Sequence, residues 1–266
     1  MKTHQPQLPV PGSLPAELYI EVTNRCNSRC QTCIRTFETL EPLRDLELDE
    51  FRALVDQASD LRRVVLHGVG EPLLNHDLPA MVAHLKRRTD PPQVLFNSNA
   101  ILLTAEWQEA LLHAGLDEFR ISTDAAQPDL YSRIRGVDAF ERMAGNVCAF
   151  ARRIRRTGFG PQLSLWFTAM HENLADLPEL VRLAHRLGVG QVYVQRLVYY
   201  GQGLAQREQS LFRAMQTAEE RLLAEAEVLA QELGITFHAS GAASPRDSLL
   251  SPDGNRRPWS QCRRPS

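Results

Sequence analysis

The sequence lacks a hydrophobic run of the roughly 20 residues that a membrane-spanning helix needs. Residues 1–15 are polar and rich in proline, without the apolar core of a signal peptide. Charge of one sign is also lacking, since 30 Lys and Arg residues face 32 Asp and Glu residues for a net charge of −2. These absences argue against a membrane or nucleic-acid partner and favour an ordinary cytosolic enzyme.

Cysteine is scarce and unevenly placed. Three of the 5 cysteines in the 266 residues, Cys26, Cys30 and Cys33, lie on one short segment. An odd number with such clustering argues against a secreted disulfide framework, so we expect a reducing, cytoplasmic location. Cys148 lies in a helical pattern beside apolar residues, and we expect it to be packed rather than to bind a ligand.

The three clustered cysteines predict a metal or cluster site. Unevenly spaced thiolates suit the corners of an iron-sulfur cluster, whereas a structural zinc site needs a fourth ligand. No Cys or His close in sequence supplies one. A closed structural cluster or a zinc site is the alternative.

Short apolar runs alternate with amphipathic helical patterns, which predicts an α/β fold of parallel strands linked by crossover helices. The expected strands are 18–23, 63–67, 93–97, 118–124, 162–168 and 191–197, with a seventh strand-like run at 235–238. The expected helices begin near Asp49 and then cover 77–88, 104–115, 138–156, 177–187 and 208–233. Three segments are predicted: an extended lead-in at 1–17, the strand-helix domain at 18–240, and 241–266, which is rich in Ser, Pro, Arg and Gly.

Polar and glycine residues follow the predicted strands. Functional residues of parallel barrels gather at the carboxyl ends of the strands, because the loops there meet at one mouth. The candidates after strands two, three, four and six are Gly68, Gly70, Glu71, Asn99, Ser122, Asp124 and Gln195.

Four motifs together resemble the radical S-adenosylmethionine (SAM) superfamily. They are the Cys-x3-Cys-x2-Cys loop after strand one, Gly68-Val69-Gly70-Glu71-Pro72 after strand two, the Asn-Ala-Ile-Leu-Leu segment from Asn99 and the Ile-Ser-Thr-Asp run from Ile121. The resemblance covers about residues 19–198 and implies a partial (β/α)6 barrel. It also implies a [4Fe-4S] cluster and SAM as cofactors.

The resemblance implies roles for particular residues. Cys26, Cys30 and Cys33 would each bind one iron, leaving the fourth iron open for the amino and carboxylate groups of SAM. Gly68, Gly70 and Glu71 match the turn that meets the SAM amino group, with Glu71 as an acceptor for the ammonium. The position of Thr32, before the third cysteine, is aromatic in many relatives, so stacking on adenine is not expected there.

Weaker assignments complete the site that the resemblance implies. Ser122 and Asp124 would approach the SAM ribose or carboxylate, and Arg135 would pair with the carboxylate, with a surface salt bridge as its alternative. Asn99 and Gln195 are further candidates, for which capping or turn hydrogen bonds are the alternative. No catalytic acid or base is assigned.

The function implied is reductive cleavage of SAM to a 5'-deoxyadenosyl radical, which abstracts hydrogen from a peptide or protein substrate. A low-potential donor such as ferredoxin or flavodoxin would supply the electron. One alternative is a small-molecule substrate such as a sugar in natural-product biosynthesis, and another is a non-catalytic iron-sulfur or zinc protein. A lead-in of 1–17 is short for a leader-peptide-binding domain, which weakens the ribosomal-peptide interpretation slightly.

The end of the sequence offers a second resemblance. Residues 259–265, which contain Cys262, look like the opening of a SPASM-type extension that carries auxiliary iron-sulfur clusters. No further cysteine follows, so we expect a truncated extension, with a lone thiol at Cys262 as the alternative. An auxiliary cluster is expected only where the full extension is present.

Overall fold

Seven parallel strands form one sheet in chain order. The computed structural model describes residues 15–39, 42–212, 214–239 and 244–250. The strands are β1 (Glu17–Tyr19), β2 (Arg63–Val65), β3 (Gln93–Ser98), β4 (Glu118–Ser122), β5 (Gln162–Ala169), β6 (Gln191–Arg196) and β7 (Thr236–Ala239). Within the described residues, β1 pairs only with β2 and β7 only with β6, so the sheet remains an open barrel. The predicted α/β class with a partial parallel barrel is confirmed, and the seventh strand joins the sheet.

Helices connect the strands. They are α1 (Leu48–Val55), α2 (Leu78–Lys86), α3 (Ala105–Ala114), α4 (Pro128–Arg135), α5 (Phe140–Thr157), α6 (Leu177–Leu187), α7 (Thr217–Glu232) and α8 (Pro245–Leu250). Among the described residues, no helix has the length and apolar character that a membrane span requires. The ends of α3 follow the sequence: the Thr104 hydroxyl accepts a hydrogen bond from the Trp107 backbone N–H, and Gly115 ends the helix at a φ of 82°.

Strand alternation separates the core from the interior of the barrel. Phe119 and Ile121 on β4 are fully buried in the main hydrophobic cluster against the helices. Arg120 and Ser122 alternate with them and therefore point to the opposite face, into the barrel. The helix side supplies the packing, and the barrel side is left free for polar side chains.

Several predicted boundaries were wrong. The chain leaves the sheet after Tyr19, because Thr23 bridges to Asp45 and donates its hydroxyl to the Asp45 carboxylate at 2.6 Å. The helix expected from residue 208 begins only at Thr217, where Gln216 and Glu219 form a capping box.

Two helices were not anticipated. The helix α4 precedes α5 as a separate element, and α8 lies in the segment expected to be without periodic structure. The helix α8 packs against α7 and β7, and these contacts stabilise it. Residues 1–14 of the lead-in, and 251–266 with Cys262, lie outside the described residues, so the three-segment division and the SPASM-type extension stay predictions.

Candidate cofactor site

A cavity of about 570 Å³ opens at the carboxyl ends of the strands. All of the residues predicted for the site line it: Cys26, Cys30, Cys33, Gly68, Gly70, Glu71, Asn99, Ser122, Asp124, Arg135 and Gln195. These residues come from five strand-end loops and from α4. The topology alone brings them together, because the carboxyl ends of parallel strands lie at one edge of a sheet.

The helix α4 anchors one side of the cysteine loop. Backbone N–H groups of Arg29 and Gln31 donate to the carbonyls of Arg135 and Ile134, at 3.2 and 2.8 Å. These bonds bracket Cys30 and hold it against the end of α4. The position of Cys30 is therefore set by backbone pairing across more than 100 residues of sequence.

The glycine turn after β2 anchors the other side. The Glu71 backbone N–H donates to the carbonyl of Arg25 at 2.7 Å. A Cβ atom on Gly70 would lie 2.0 Å from the carbonyl oxygen of Thr23 and 2.8 Å from that of Arg25. Glycine at this position is thus required by the close approach of two backbones.

We expect Gly70→Ala to destabilise the cofactor-free protein by about 1–3 kcal/mol, because the added methyl group must displace the cysteine loop. Gly145→Ala is the matched control, since no atom lies within 4 Å of a Cβ at that position on α5. The control should raise stability by roughly 0.5–1 kcal/mol through its helix propensity. Urea unfolding of both variants measures the difference, and equal stability of the two would contradict the proposed steric contact.

The three thiols are free and partly buried. Burial raises the pKa of Cys30 to about 11 despite the nearby Arg135, and burial also raises the pKa of Cys26. Ionising both thiols therefore costs free energy that bonds to iron would offset. The described residues contain no group of three His, Cys, Asp or Glu side chains that could hold a single metal ion. Three thiols are one ligand short of a structural zinc site, whereas in an iron-sulfur cluster they would leave one iron open.

Glu71 ties the glycine turn to the loop after β3. Its carboxylate, 2% exposed, accepts hydrogen bonds from the Ser98 hydroxyl at 2.6 Å and from the backbone N–H groups of Asn99 and Leu73 at 2.7 and 3.2 Å. Burial raises its pKa, and the hydrogen bond from Ser98 opposes that shift. The carboxylate thus positions two loops, and its contact with an ammonium group stays a prediction.

Asp124 and Arg135 line the cavity and form a buried ion pair, joined at 2.7 Å. Asp124 has a φ of 60°, and its other carboxylate oxygen accepts the Thr168 backbone N–H at 2.7 Å. The salt bridge that was the alternative for Arg135 is thus present, but it is buried rather than on the surface, since Arg135 is only 8% exposed. Its Nε is buried and has no hydrogen-bond partner among the described residues. The guanidinium thus keeps one donor for an anion.

The remaining predicted residues differ in their partners. Asn99 donates to the side chains of Asn27 and Ser28 and accepts the Ile101 backbone N–H, so its amide is used by a turn and by the cysteine loop. Gln195 donates to the Thr168 hydroxyl at 2.7 Å. Asn99 makes the turn hydrogen bond that was its alternative, whereas the Gln195 bond joins the neighbouring strands β5 and β6. A cofactor contact for either residue stays a prediction.

Further residues that sequence reasoning did not assign line the cavity. Trp166 on β5 lies between the guanidinium of Arg120, 4.4 Å from its ring centroid, and the ring of Tyr193, 4.0 Å away. Trp166 is the member of this stack that lines the cavity. Trp166 and Thr168 are two residues apart on β5, so their side chains point to the same face of the sheet. This alternation could have predicted Trp166 at the cavity. His67 also lines the cavity.

Two other histidines near strand ends, His76 and His171, have structural partners away from the cavity. His76 stacks on Trp107 with ring centroids 6.3 Å apart. His171 hydrogen-bonds through Nδ1 to Glu219 at 2.5 Å. Neither contact places a histidine at the cavity.

An open parallel barrel with three free thiols and a buried guanidinium at its mouth defines a class of cofactor-binding α/β barrels. A family model described as the radical SAM superfamily matches residues 20–184, and this chain belongs to that superfamily. The resemblance found in the motifs is confirmed. Membership assigns a [4Fe-4S] cluster and SAM to this barrel as cofactors.

Curated relatives include two proteins named PqqA peptide cyclase. The protein of Gluconobacter oxydans is 34% identical over 216 residues, which are 81% of this chain and 58% of the relative. The protein of Streptomyces rochei is 29% identical over 208 residues, which are 78% of this chain and 55% of the relative. The chain thus spans little more than half the length of these relatives.

Solved structures show the same fold. SuiB of Streptococcus suis bound to S-adenosylmethionine superposes with a TM-score of 0.65 at 17% identity, covering 86% of this chain and 51% of SuiB. SuiB bound to its precursor peptide SuiA gives a TM-score of 0.64 at 16% identity, covering 86% of this chain and 49% of SuiB. At this identity, the likeness establishes the barrel alone.

Proposed function

We propose that this barrel binds a [4Fe-4S] cluster and SAM, cleaves SAM reductively and uses the product to abstract hydrogen from a peptide or protein. The observation that carries the proposal is the single cavity that gathers the three thiols, the glycine turn and the Asp124–Arg135 pair. Its volume of about 570 Å³ lies within the range of cavities that hold a small-molecule cofactor. When bound, the reduced cluster supplies the electron that cleaves SAM.

The proposed roles follow from the contacts on each residue. Cys26, Cys30 and Cys33 hold three irons, because their thiols are free and line the cavity. The unpartnered Nε of Arg135 gives it a donor for the SAM carboxylate. Gly70 lets the turn after β2 lie against the cysteine loop, so the two segments that would hold the cluster and SAM stay in contact.

A peptide substrate is supported by the relatives and by the site itself. Two curated relatives are named for a peptide, and a solved structural neighbour holds a precursor peptide. Val198 lines the cavity and is 80% exposed, and this apolar surface offers a place for an extended chain beside the cavity. The four described cysteines are free, which suits a reducing cytoplasm with a ferredoxin or flavodoxin as electron donor.

We expect the anaerobically reconstituted protein to convert SAM to 5'-deoxyadenosine when dithionite is added, and to do so only with the reductant present. Chromatography measures the nucleoside, and a change in the electron paramagnetic resonance (EPR) spectrum of the reduced cluster on adding SAM measures binding. A fully loaded, reducible cluster that neither binds nor cleaves SAM would overturn the proposal and favour a non-catalytic iron-sulfur protein.

The substrate class needs a separate test. A short peptide encoded beside the gene, synthesised with deuterium on its side chains, should transfer deuterium to 5'-deoxyadenosine, as read by mass spectrometry. Transfer from a deuterated sugar, with none from the peptide, would instead favour the small-molecule alternative.

A further inference from the structure

The loop after β6 closes over the cysteine loop. Residues 197–205, here called the clamp loop, reach back across the mouth of the cavity. The Leu204 backbone N–H donates to the carbonyl of Gln31 at 2.7 Å, and the Gln202 amide donates to the Glu38 carboxylate at 3.0 Å. A Cβ on Gly203 would lie 2.4 Å from the Gln31 carbonyl oxygen, so the two backbones are in close contact. The clamp loop is thus fixed to the segment that carries the third cysteine.

Tyr200 projects from the clamp loop into the cavity that Cys33 also lines. Its backbone N–H donates to the Ala205 carbonyl at 3.0 Å, which fixes its place in the loop. Its hydroxyl oxygen is buried and has no hydrogen-bond partner among the described residues. An unpartnered buried hydroxyl is unfavourable, so a site that keeps one indicates a missing partner.

The missing partner is chemically restricted. A tyrosine hydroxyl is protonated at neutral pH and can donate its hydrogen. After burial, the Cys33 thiol is the group that contributes most to raising the pKa of Tyr200 to about 12, ahead of Glu38 and Cys30. Tyr200 and two of the three proposed cluster ligands, Cys33 and Cys30, line the same cavity.

We propose that Tyr200 donates a hydrogen bond to a sulfur of the bound cluster, either an inorganic sulfide or the Cys33 thiolate, and thereby favours the reduced cluster. The proposal rests on the proposed function, because it needs the cluster in this cavity. A reduced cluster carries one more negative charge, so a donor at its sulfur raises the reduction potential. Tyr200 thus tunes how readily the barrel accepts the electron that cleaves SAM.

The test compares two neighbouring tyrosines in the full chain. Tyr200→Phe removes the buried hydroxyl, and Tyr199→Phe removes one from a side chain that is 49% exposed. Both proteins are reconstituted anaerobically and titrated without SAM while the EPR signal of the reduced cluster is followed. We expect Tyr200→Phe to make reduction about tenfold less favourable, which is 59 mV for a one-electron couple. Tyr199→Phe should leave the potential unchanged.

A second measurement separates this role from a structural one. Because the hydroxyl has no partner in the described chain, Tyr200→Phe should not lower the thermal midpoint of the cofactor-free protein. A lowered midpoint would show that the hydroxyl is bonded within the chain, which would overturn the proposal.

The remaining outcomes also decide the matter. An unchanged potential with full iron content overturns the role of Tyr200 but leaves the proposed function standing, provided that the wild-type protein still binds and cleaves SAM. A Tyr200→Phe variant with normal potential but weaker SAM binding assigns the hydroxyl to SAM instead. If the wild-type protein holds no reducible cluster, both proposals fail.

Discussion

Cys30→Ala is expected to abolish cluster assembly, whereas Cys148→Ala leaves the iron content unchanged. Cys30 lines the cavity between the two other thiols of the loop, and two thiols cannot hold a cluster that already lacks a fourth protein ligand. Cys148 packs on α5 against the main core and does not line the cavity. Iron and acid-labile sulfide per chain, measured after anaerobic reconstitution, give the result. Equal iron loss in both variants would contradict the assignment.

Cys30→Ala also shows whether iron is lost because a ligand is missing or because the protein is unfolded. No described residue forms a hydrogen bond or disulfide with the Cys30 thiol, so cofactor-free Cys30→Ala should fold like the wild type. The backbone contacts of residue 30 remain, including the hydrogen bond from the Thr36 hydroxyl to its carbonyl at 2.8 Å. Matching circular dichroism spectra with no bound iron would therefore locate the defect in the ligand set. A variant that fails to fold would show that the thiol packs structurally.

The sequence predicts the site better than it predicts the elements around it. Predicted strands two, three, four and six each end at a turn or polar residue that stops a short apolar run, and these local signals place the cavity-lining residues at one edge of the sheet. The Cys-x3-Cys-x2-Cys loop and the turn at Gly68 to Glu71 follow directly from such ends. Their juxtaposition then follows from parallel topology alone.

The features that the sequence did not predict depend on contacts between distant segments. Thr23 leaves the first strand because of a hydrogen bond to Asp45, and no local pattern records that partner. In the sequence, Tyr200 is one residue of an apolar run. Its buried, unpartnered hydroxyl is found only in the structure, where the clamp loop is hydrogen-bonded to Gln31. Side-chain roles at the site are thus set by tertiary packing, which periodicity does not encode.

Asp124→Asn is expected to destabilise the cofactor-free protein by about 3–5 kcal/mol. The Asp124 and Arg135 side chains are 4% and 10% exposed, so loss of the carboxylate leaves a buried guanidinium without its counter-charge. If the asparagine side-chain oxygen still accepts the hydrogen bond from the Thr168 backbone N–H, the asparagine NH2 group faces the guanidinium of Arg135. Both of these groups are donors, so no hydrogen bond can form between them. Asp49→Asn is the control, because the Asp49 side chain is 90% exposed and its pair with Arg52 is worth at most about 1 kcal/mol.

A double variant tests whether the loss arises from the ion pair itself. Arg135→Met removes the guanidinium, and it should also be strongly destabilising alone, because Asp124 is then the unpaired charge. Asp124→Asn combined with Arg135→Met leaves neither charge buried, so it should recover most of the stability lost in either single variant. Urea unfolding of the four proteins gives the coupling free energy. Additive losses would show that the two side chains act separately and that the pair does not hold the end of α4 against β4. Recovered stability without recovered SAM binding would separate the structural role of Arg135 from its proposed role toward the SAM carboxylate.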